Sequence, residues 1–219
     1  IIPQVAQDFL PPTLDANLSS IGSMEKGLAL NAQLAFDQYE TWNVKLNQAK
    51  AITNKPQPML VDIAWQGIDR AVPYIGWLSS DNGQTNITLK EGQQDIFVST
   101  TVKPHEKTVL PTGKYDARLD VKGSLLDIEN FRYQAENGSL SGLAKIKLPT
   151  EKQQLSWSAT LKADNFNPQT VATAAPVNLL NGQIVAKGFA KPNQQIIQFD
   201  NIDLNGQLAQ SNTSEKIAL

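Results

Sequence analysis

His105 is the one histidine of a 219-residue chain that has no cysteine. The side chains that most often hold transition metals, or pair as nucleophile and base, are therefore nearly missing. His105 lies in Lys103-Pro104-His105-Glu106-Lys107, a polar run read as an exposed loop between strands, and no Ser/His/Asp set assembles around it. No Gly-x-Ser-x-Gly, phosphate-binding loop or dinucleotide glycine pattern occurs; Gly113-Lys114 is followed by Tyr115 and lacks the earlier glycine. Paired carboxylates can hydrolyse glycosides, and Asp116, Asp120, Asp127 and Glu129 are near one another in sequence. They fall on the polar parity of strands or in turns, where a carboxylate is simply solvated. Trp42, Trp65, Trp77 and Trp157 could stack on sugars. Three of them lie on apolar stripes, which points to core packing or to lining a groove. The sequons at Asn17, Asn86, Asn137 and Asn212 are what chance yields in a chain rich in Asn, Ser and Thr. The expectation is a protein that is not an enzyme and needs no cofactor and no metal.

Composition narrows the partners. Hydrophobic residues make up 41% and charged residues 18%, with 19 basic against 21 acidic side chains. That balance is globular and has no global field to attract nucleic acid or an anionic membrane. No stretch approaches the roughly 18 apolar residues of a membrane helix. The chain starts at Ile1 without an initiator Met or a signal peptide, so a fragment or a mature product is expected.

The elements that must position these residues are strands, because apolar and polar residues alternate almost throughout. Leu155, Trp157, Ala159, Leu161 and Ala163 form the clearest stripe. Others are Leu28 to Phe36, Trp42 to Leu46, Met59 to Trp65, Tyr115-Ala117-Leu119-Val121 and Ala144-Ile146-Leu148. Each is 5 to 9 residues long. Turn chemistry marks Asp81-Asn82-Gly83, Lys90-Glu91-Gly92, Glu136-Asn137-Gly138, Asn181-Gly182 and Lys191-Pro192-Asn193, which predicts antiparallel hairpins. Ile68, Val72, Ile75 and Leu78 carry helical spacing, and Pro168 to Thr173 reads as a helical turn capped by Asn167. A loose repeat links Leu10 to Gly22, Leu110 to Gly123 and Ala175 to Gly188, each with a Pro opening a strand. One repeat-built β region over 1–219 follows, with subunits 1–109 and 110–219 as its possible division. Its apolar faces could be hidden by a second sheet, by closure into a barrel, or by a ligand in a trough. Small residues such as Ala144, Ala159, Ala163 and Ala186 favour the trough.

Several stretches resemble the TamB family, the AsmA-like proteins of the translocation and assembly module. They are Leu110 to Leu119 with Phe131 to Gly142, Leu155 to Leu161 followed by Asn165-Phe166-Asn167-Pro168, Leu180 to Gly188, and Ala64-Trp65-Gln66-Gly67 with Ile75-Gly76-Trp77-Leu78. The resemblance spans most of the chain and rests on strand-and-turn patterns. It implies an all-β fold, an elongated antiparallel curled sheet of the β-taco kind with an apolar concave face and one or two short helices. It also implies a periplasmic segment of an inner-membrane-anchored protein that holds phospholipid acyl chains. Such proteins support phospholipid transport and outer-membrane protein assembly, with the barrel protein TamA as partner through regions outside this chain. On that basis Trp65, Leu119, Val121, Tyr133, Ile146, Leu148, Trp157, Leu161 and Ile184 are expected to line the lipid groove. A chaperone-like module that adds unfolded outer-membrane strands to its edge is the alternative; a carbohydrate-active β protein is a third.

Overall fold

The computed structural model describes residues 14–23, 26–36, 39–50, 57–72, 76–107, 110–150, 154–170, 175, 177–191, 194–208 and 217–218. Among them the alternating stripes become thirteen strands. These are β1 (Asp15–Ser23), β2 (Gly27–Phe36), β3 (Glu40–Gln48), β4 (Met59–Val72), β5 (Gly76–Lys90), β6 (Gln93–Val102), β7 (Gly113–Lys122), β8 (Leu125–Ala135), β9 (Gly138–Lys147), β10 (Leu155–Phe166), β11 (Val177–Lys191), β12 (Gln194–Leu208) and β13 (Ile217–Ala218). They are hydrogen-bonded in chain order as one unclosed antiparallel sheet. The fold is all-β, as the alternation requires. Two compact units divide it: residues 1–91 with 96–112, and residues 92–95 with 113–219.

The helical expectation over Ile68 to Leu78 is overturned. Ile68 lies in β4 and Leu78 in β5, on facing strands paired Ile68 to Ser80 and Arg70 to Leu78; Ile75 falls outside the described residues. Helical spacing over so short a run is also satisfied by two strands that place every other residue inward. The turn after Asn167 does form, as a single 3-10 turn at Pro168–Thr170. Asn167 caps it by accepting from Gln169 N at 3.0 Å through its side chain and from Thr170 N at 3.1 Å through its carbonyl. Residues 171–173 lie outside the described residues, and no α-helix occurs among the described ones.

Strands run longer than the stripes suggested, up to 15 residues in β5, β11 and β12, because two expected turns are not turns. Asp81-Asn82-Gly83 is the middle of β5, and Asn181-Gly182 lies inside β11. At Gly182, with φ of +125°, the backbone approaches its neighbour so closely that a Cβ would run into the Asp203 carbonyl. Glycine there serves close strand approach rather than reversal. Lys90-Glu91-Gly92 and Glu136-Asn137-Gly138 do reverse the chain. Pro192 and Asn193 lie outside the described residues.

In the first unit the apolar parity of β2 to β5 aligns Leu34, Trp42, Trp65 and Gly83 in one cross-strand row, and Leu30, Leu46, Val61 and Ile87 in another. Trp42 and Trp65 pack with ring centroids 5.6 Å apart. One end of this face is closed by a buried ion pair. Arg70 Nε donates to both oxygens of Glu40 at 3.0 and 2.9 Å, Trp42 Nε1 donates to Glu40 Oε1 at 2.6 Å, and the guanidinium sits 5.7 Å from the Phe36 ring centre. A carboxylate this buried is tolerated because each oxygen is answered by a donor.

Candidate functional site

The second unit builds one continuous apolar face from six strands. Register sets four cross-strand rows. The first joins Tyr115, Tyr133, Leu140, Ala163, Gly182 and Leu204; the second joins Ala117, Phe131, Gly142, Leu161, Ile184 and Ile202. The third runs through Leu119, Ile128, Ala144, Ala159, Ala186 and Phe199, and the fourth through Val121, Leu126, Ile146, Trp157, Gly188 and Ile197. Apart from the hydroxyls of Tyr115 and Tyr133 and the indole N–H of Trp157, no polar side-chain group interrupts them. Bulges preserve the alignment: the ladder shifts between Ile128 and Phe131 in β8 and again opposite Val185 and Ala186 in β12. Each bulge inserts an extra residue and returns the strand to the same face.

The two ends of these rows differ. At the first row Tyr115 and Tyr133 lie 4.8 Å apart, and Tyr133 meets Phe166 edge-on at 6.0 Å. Tyr133 and Phe166 sit on β8 and β10, with β9 between them. Strands two apart in a flat sheet are separated by roughly 9.5 Å, so the rings converge as on a face that curls inward. Tyr133 is 2% exposed, and the Thr170 side chain of the 3-10 turn hydrogen-bonds it. Burial pushes the Tyr115 hydroxyl above the ordinary phenol range, with the neighbouring Tyr133 adding to the effect. Burial likewise raises Tyr133, against the opposing hydrogen bond from Thr170. This end is a packed plug.

Towards β12 the face opens. Leu161 and Ile202 are each 38% exposed, and Ile197 and Phe199 are 56% and 57% exposed. Large apolar side chains contiguous and open to water mark a surface that meets something apolar. Down the centre the rows hold Gly142, Ala144, Ala159, Ala163 and Ala186, so the floor is low between bulkier flanks.

The residues expected to line a groove are thus distributed. Leu119, Val121, Ile146, Trp157, Leu161 and Ile184 share this one face. Tyr133 shares it too, but inside the plug. Leu148 follows β9 and is exposed, its amide held by the Ser124 carbonyl at 2.7 Å. Trp65 belongs to the first unit's face, where it is buried and its Nε1 is 3.4 Å from Ser80 Oγ. Sequence reasoning missed Leu126, Ile128, Phe131, Ile197, Phe199 and Ile202, because the bulges switch their parity in mid-strand. The doublets Leu125-Leu126 and Ile196-Ile197 were the available signal, since a doublet leaves the choice of face open.

The remaining chemical candidates are tied up. Asp116 pairs with Lys114 at 3.6 Å, Asp120 with Lys122 at 2.6 Å, Asp127 with Lys145 at 3.3 Å and Glu129 with Arg118 at 3.5 Å. All four lie on exposed or part-exposed strand surface rather than in a shared cleft. His105 is only partly exposed, contrary to a plain loop histidine. Its ring stacks on Trp77 with centroids 5.2 Å apart and planes 10° apart. Asp69 is 3.9 Å from its Nε2 and accepts from Trp77 Nε1 at 3.0 Å. No group of three or more potential metal ligands forms among the described residues. Comparison with protein-family models, with curated proteins and with solved structures found no match for this chain.

Proposed function

We propose that the apolar face of β7 to β12 holds lipid acyl chains, as a segment of a TamB-like periplasmic protein between the inner and outer membranes. In that setting it supports phospholipid transport and outer-membrane protein assembly, with TamA engaged by regions outside this chain. The observation that carries the reading is the open side of the face, where Leu161, Ile197, Phe199 and Ile202 stand exposed around a floor of alanine and glycine. An acyl chain asks for no hydrogen bond, and the two middle rows, from Ala117 to Ile202 and from Leu119 to Phe199, carry no polar side-chain group. Each methylene removed from water contributes about 0.8 kcal/mol, so a chain lying along several strands gains several kcal/mol without a polar anchor. A sugar would need convergent polar groups that the rows lack. Photo-crosslinkers at Leu161 and Phe199 should capture phospholipid, while a crosslinker at Lys162, on the opposite parity, should not. Equal capture at Leu161 and at Lys162 would remove the basis of the proposal.

A second reading, strand addition, is favoured by β1. Every residue from Asp15 to Ser23 is exposed, including Leu18 and Ile21 at 67% and 79%, and among the described residues this strand pairs only with β2. Unpaired edges recruit extended chains. An unfolded outer-membrane strand peptide would then slow hydrogen exchange at β1 amides, and unchanged exchange there would exclude this mode.

A further inference from the structure

The opposite face of the second unit carries a feature that the acyl-chain reading does not use. Two rows cross it near the end marked by Trp157 and Gly188. One joins Leu125, Lys147, Ser156, Phe189 and Ile196; the next joins Asp127, Lys145, Ser158, Lys187 and Gln198. Serines occupy the central strand β10, and long side chains stand on both neighbours. Strands β9 and β11 are roughly 9.5 Å apart, so short residues between them leave a slot. The resulting cavity is about 500 Å³, open to solvent.

The chemistry of this slot is two-sided. Its floor is made by the Ser156 and Ser158 positions, and its rims carry Lys145 and Lys147 from β9 and Lys187 from β11. Lys145 is steadied by Asp127 at 3.3 Å and Lys187 by Asp200 at 2.9 Å, while both lysine side chains stay about half exposed or more. Three ammonium groups face two carboxylates, which leaves an excess of positive charge. Each ammonium has three donors, more than one carboxylate contact uses. At one end of the same slot Phe189, Ile196 and Leu125 supply apolar surface on a face that is otherwise largely polar.

We propose that this slot binds a phosphate-bearing amphiphile, with the phosphate between the lysine rims over the serine floor and the apolar stem over Phe189 and Ile196. Donors arriving from both rims and from the floor suit a tetrahedral anion better than a planar carboxylate, which presents two oxygens in one plane. The adjoining apolar surface is what a bare inorganic anion would not need. The site lies on the other face of the sheet from the acyl-chain trough and stands independently of it.

Calorimetric titration of the full chain with dodecyl phosphate, below its micelle concentration, tests the site. Dodecyl maltoside serves as the uncharged control and inorganic phosphate as the free anion. Dodecyl phosphate should bind and dodecyl maltoside should not. The double variant K147Q/K187Q should weaken binding by roughly tenfold or more, and Ser158→Phe, which fills the slot, should abolish it. If Ser158→Phe does not fold by circular dichroism, the lysine pair decides. Inorganic phosphate should compete only at much higher concentration; competition at equal concentration would identify a soluble phosphate as ligand and overturn the amphiphile. Unchanged binding in the lysine variant would overturn the site. Leu161→Asp separates the two faces: it should leave this binding intact, and loss in Leu161→Asp alone would place the ligand on the apolar face and remove this proposal.

Discussion

The indole of Trp157 on β10 lies over Gly188, its cross-strand partner on β11, so closely that a Cβ at Gly188 would stand 2.7 Å from ring atom Cε2. Trp65 on β4 covers Gly83 on β5 in the same manner. In each case the glycine leaves a vacancy on the pleated surface and the aromatic ring of the neighbouring strand fills it. The glycine is thereby a packing residue, and the tryptophan's orientation depends on it.

Gly83 gives the cleaner test, since the three atoms nearest a Cβ built there all belong to the Trp65 side chain. Gly83→Ala should push the indole off its seat and destabilise the first unit by about 1–3 kcal/mol, the usual cost of overpacking. Tryptophan emission should shift to the red in the folded protein. Unchanged emission and stability would mean that the ring does not rely on the glycine.

Leu161 and Tyr133 lie in adjacent rows of one face but differ in exposure, 38% against 2%. Leu161→Asp should therefore fold, with a loss of about 1 kcal/mol or less because water can reach the carboxylate, yet lose phospholipid capture by a crosslinker at Phe199. Tyr133→Asp should unfold the second unit by placing an unpaired charge in the plug. Thermal melts of the two variants decide: unfolding of both would make the face an ordinary core.

Glu40 and Arg70 close the end of the first unit's face as a buried pair, with side-chain exposures of 8% and 23%. Glu40→Ala should destabilise by about 1–3 kcal/mol, because it takes the acceptor from the Trp42 indole and one partner from the Arg70 guanidinium. The double variant E40M/R70M should recover most of that loss in denaturant titration. A double variant no better than Glu40→Ala would show that the polar network itself specifies this end.

Tyr115 and Tyr133 are both held above the ordinary phenol range in the folded protein, chiefly by burial. The folded state therefore keeps protons that the unfolded chain releases near pH ~10. Stability from these groups is fully present below that pH and declines as pH rises above it. The double variant Y115F/Y133F should lose this alkaline decline, as read from melting temperatures between roughly pH 8 and 11. An equal decline in the variant would assign it to other groups.

Period-two alternation determined the strands, their antiparallel pairing and the apolar character of one face, because side-chain direction in a strand follows from position alone. The parity of Leu119, Ile146, Trp157, Leu161 and Ile184 was legible for that reason. Tertiary structure decided what local chemistry leaves open. Asn82-Gly83 and Asn181-Gly182 have the composition of turns, yet they run straight through strands because the glycines accommodate a neighbouring ring or carbonyl. The bulges in β8 and β12 carry Phe131, Ile197 and Phe199 onto the apolar face against a uniform reading of parity. Plug and open floor also share one alternation, and only the convergence of Tyr115, Tyr133 and Phe166 from three different strands separates them. Contacts of that kind depend on how the sheet curls, which is a sum over many small twists and is written in no single stretch of sequence.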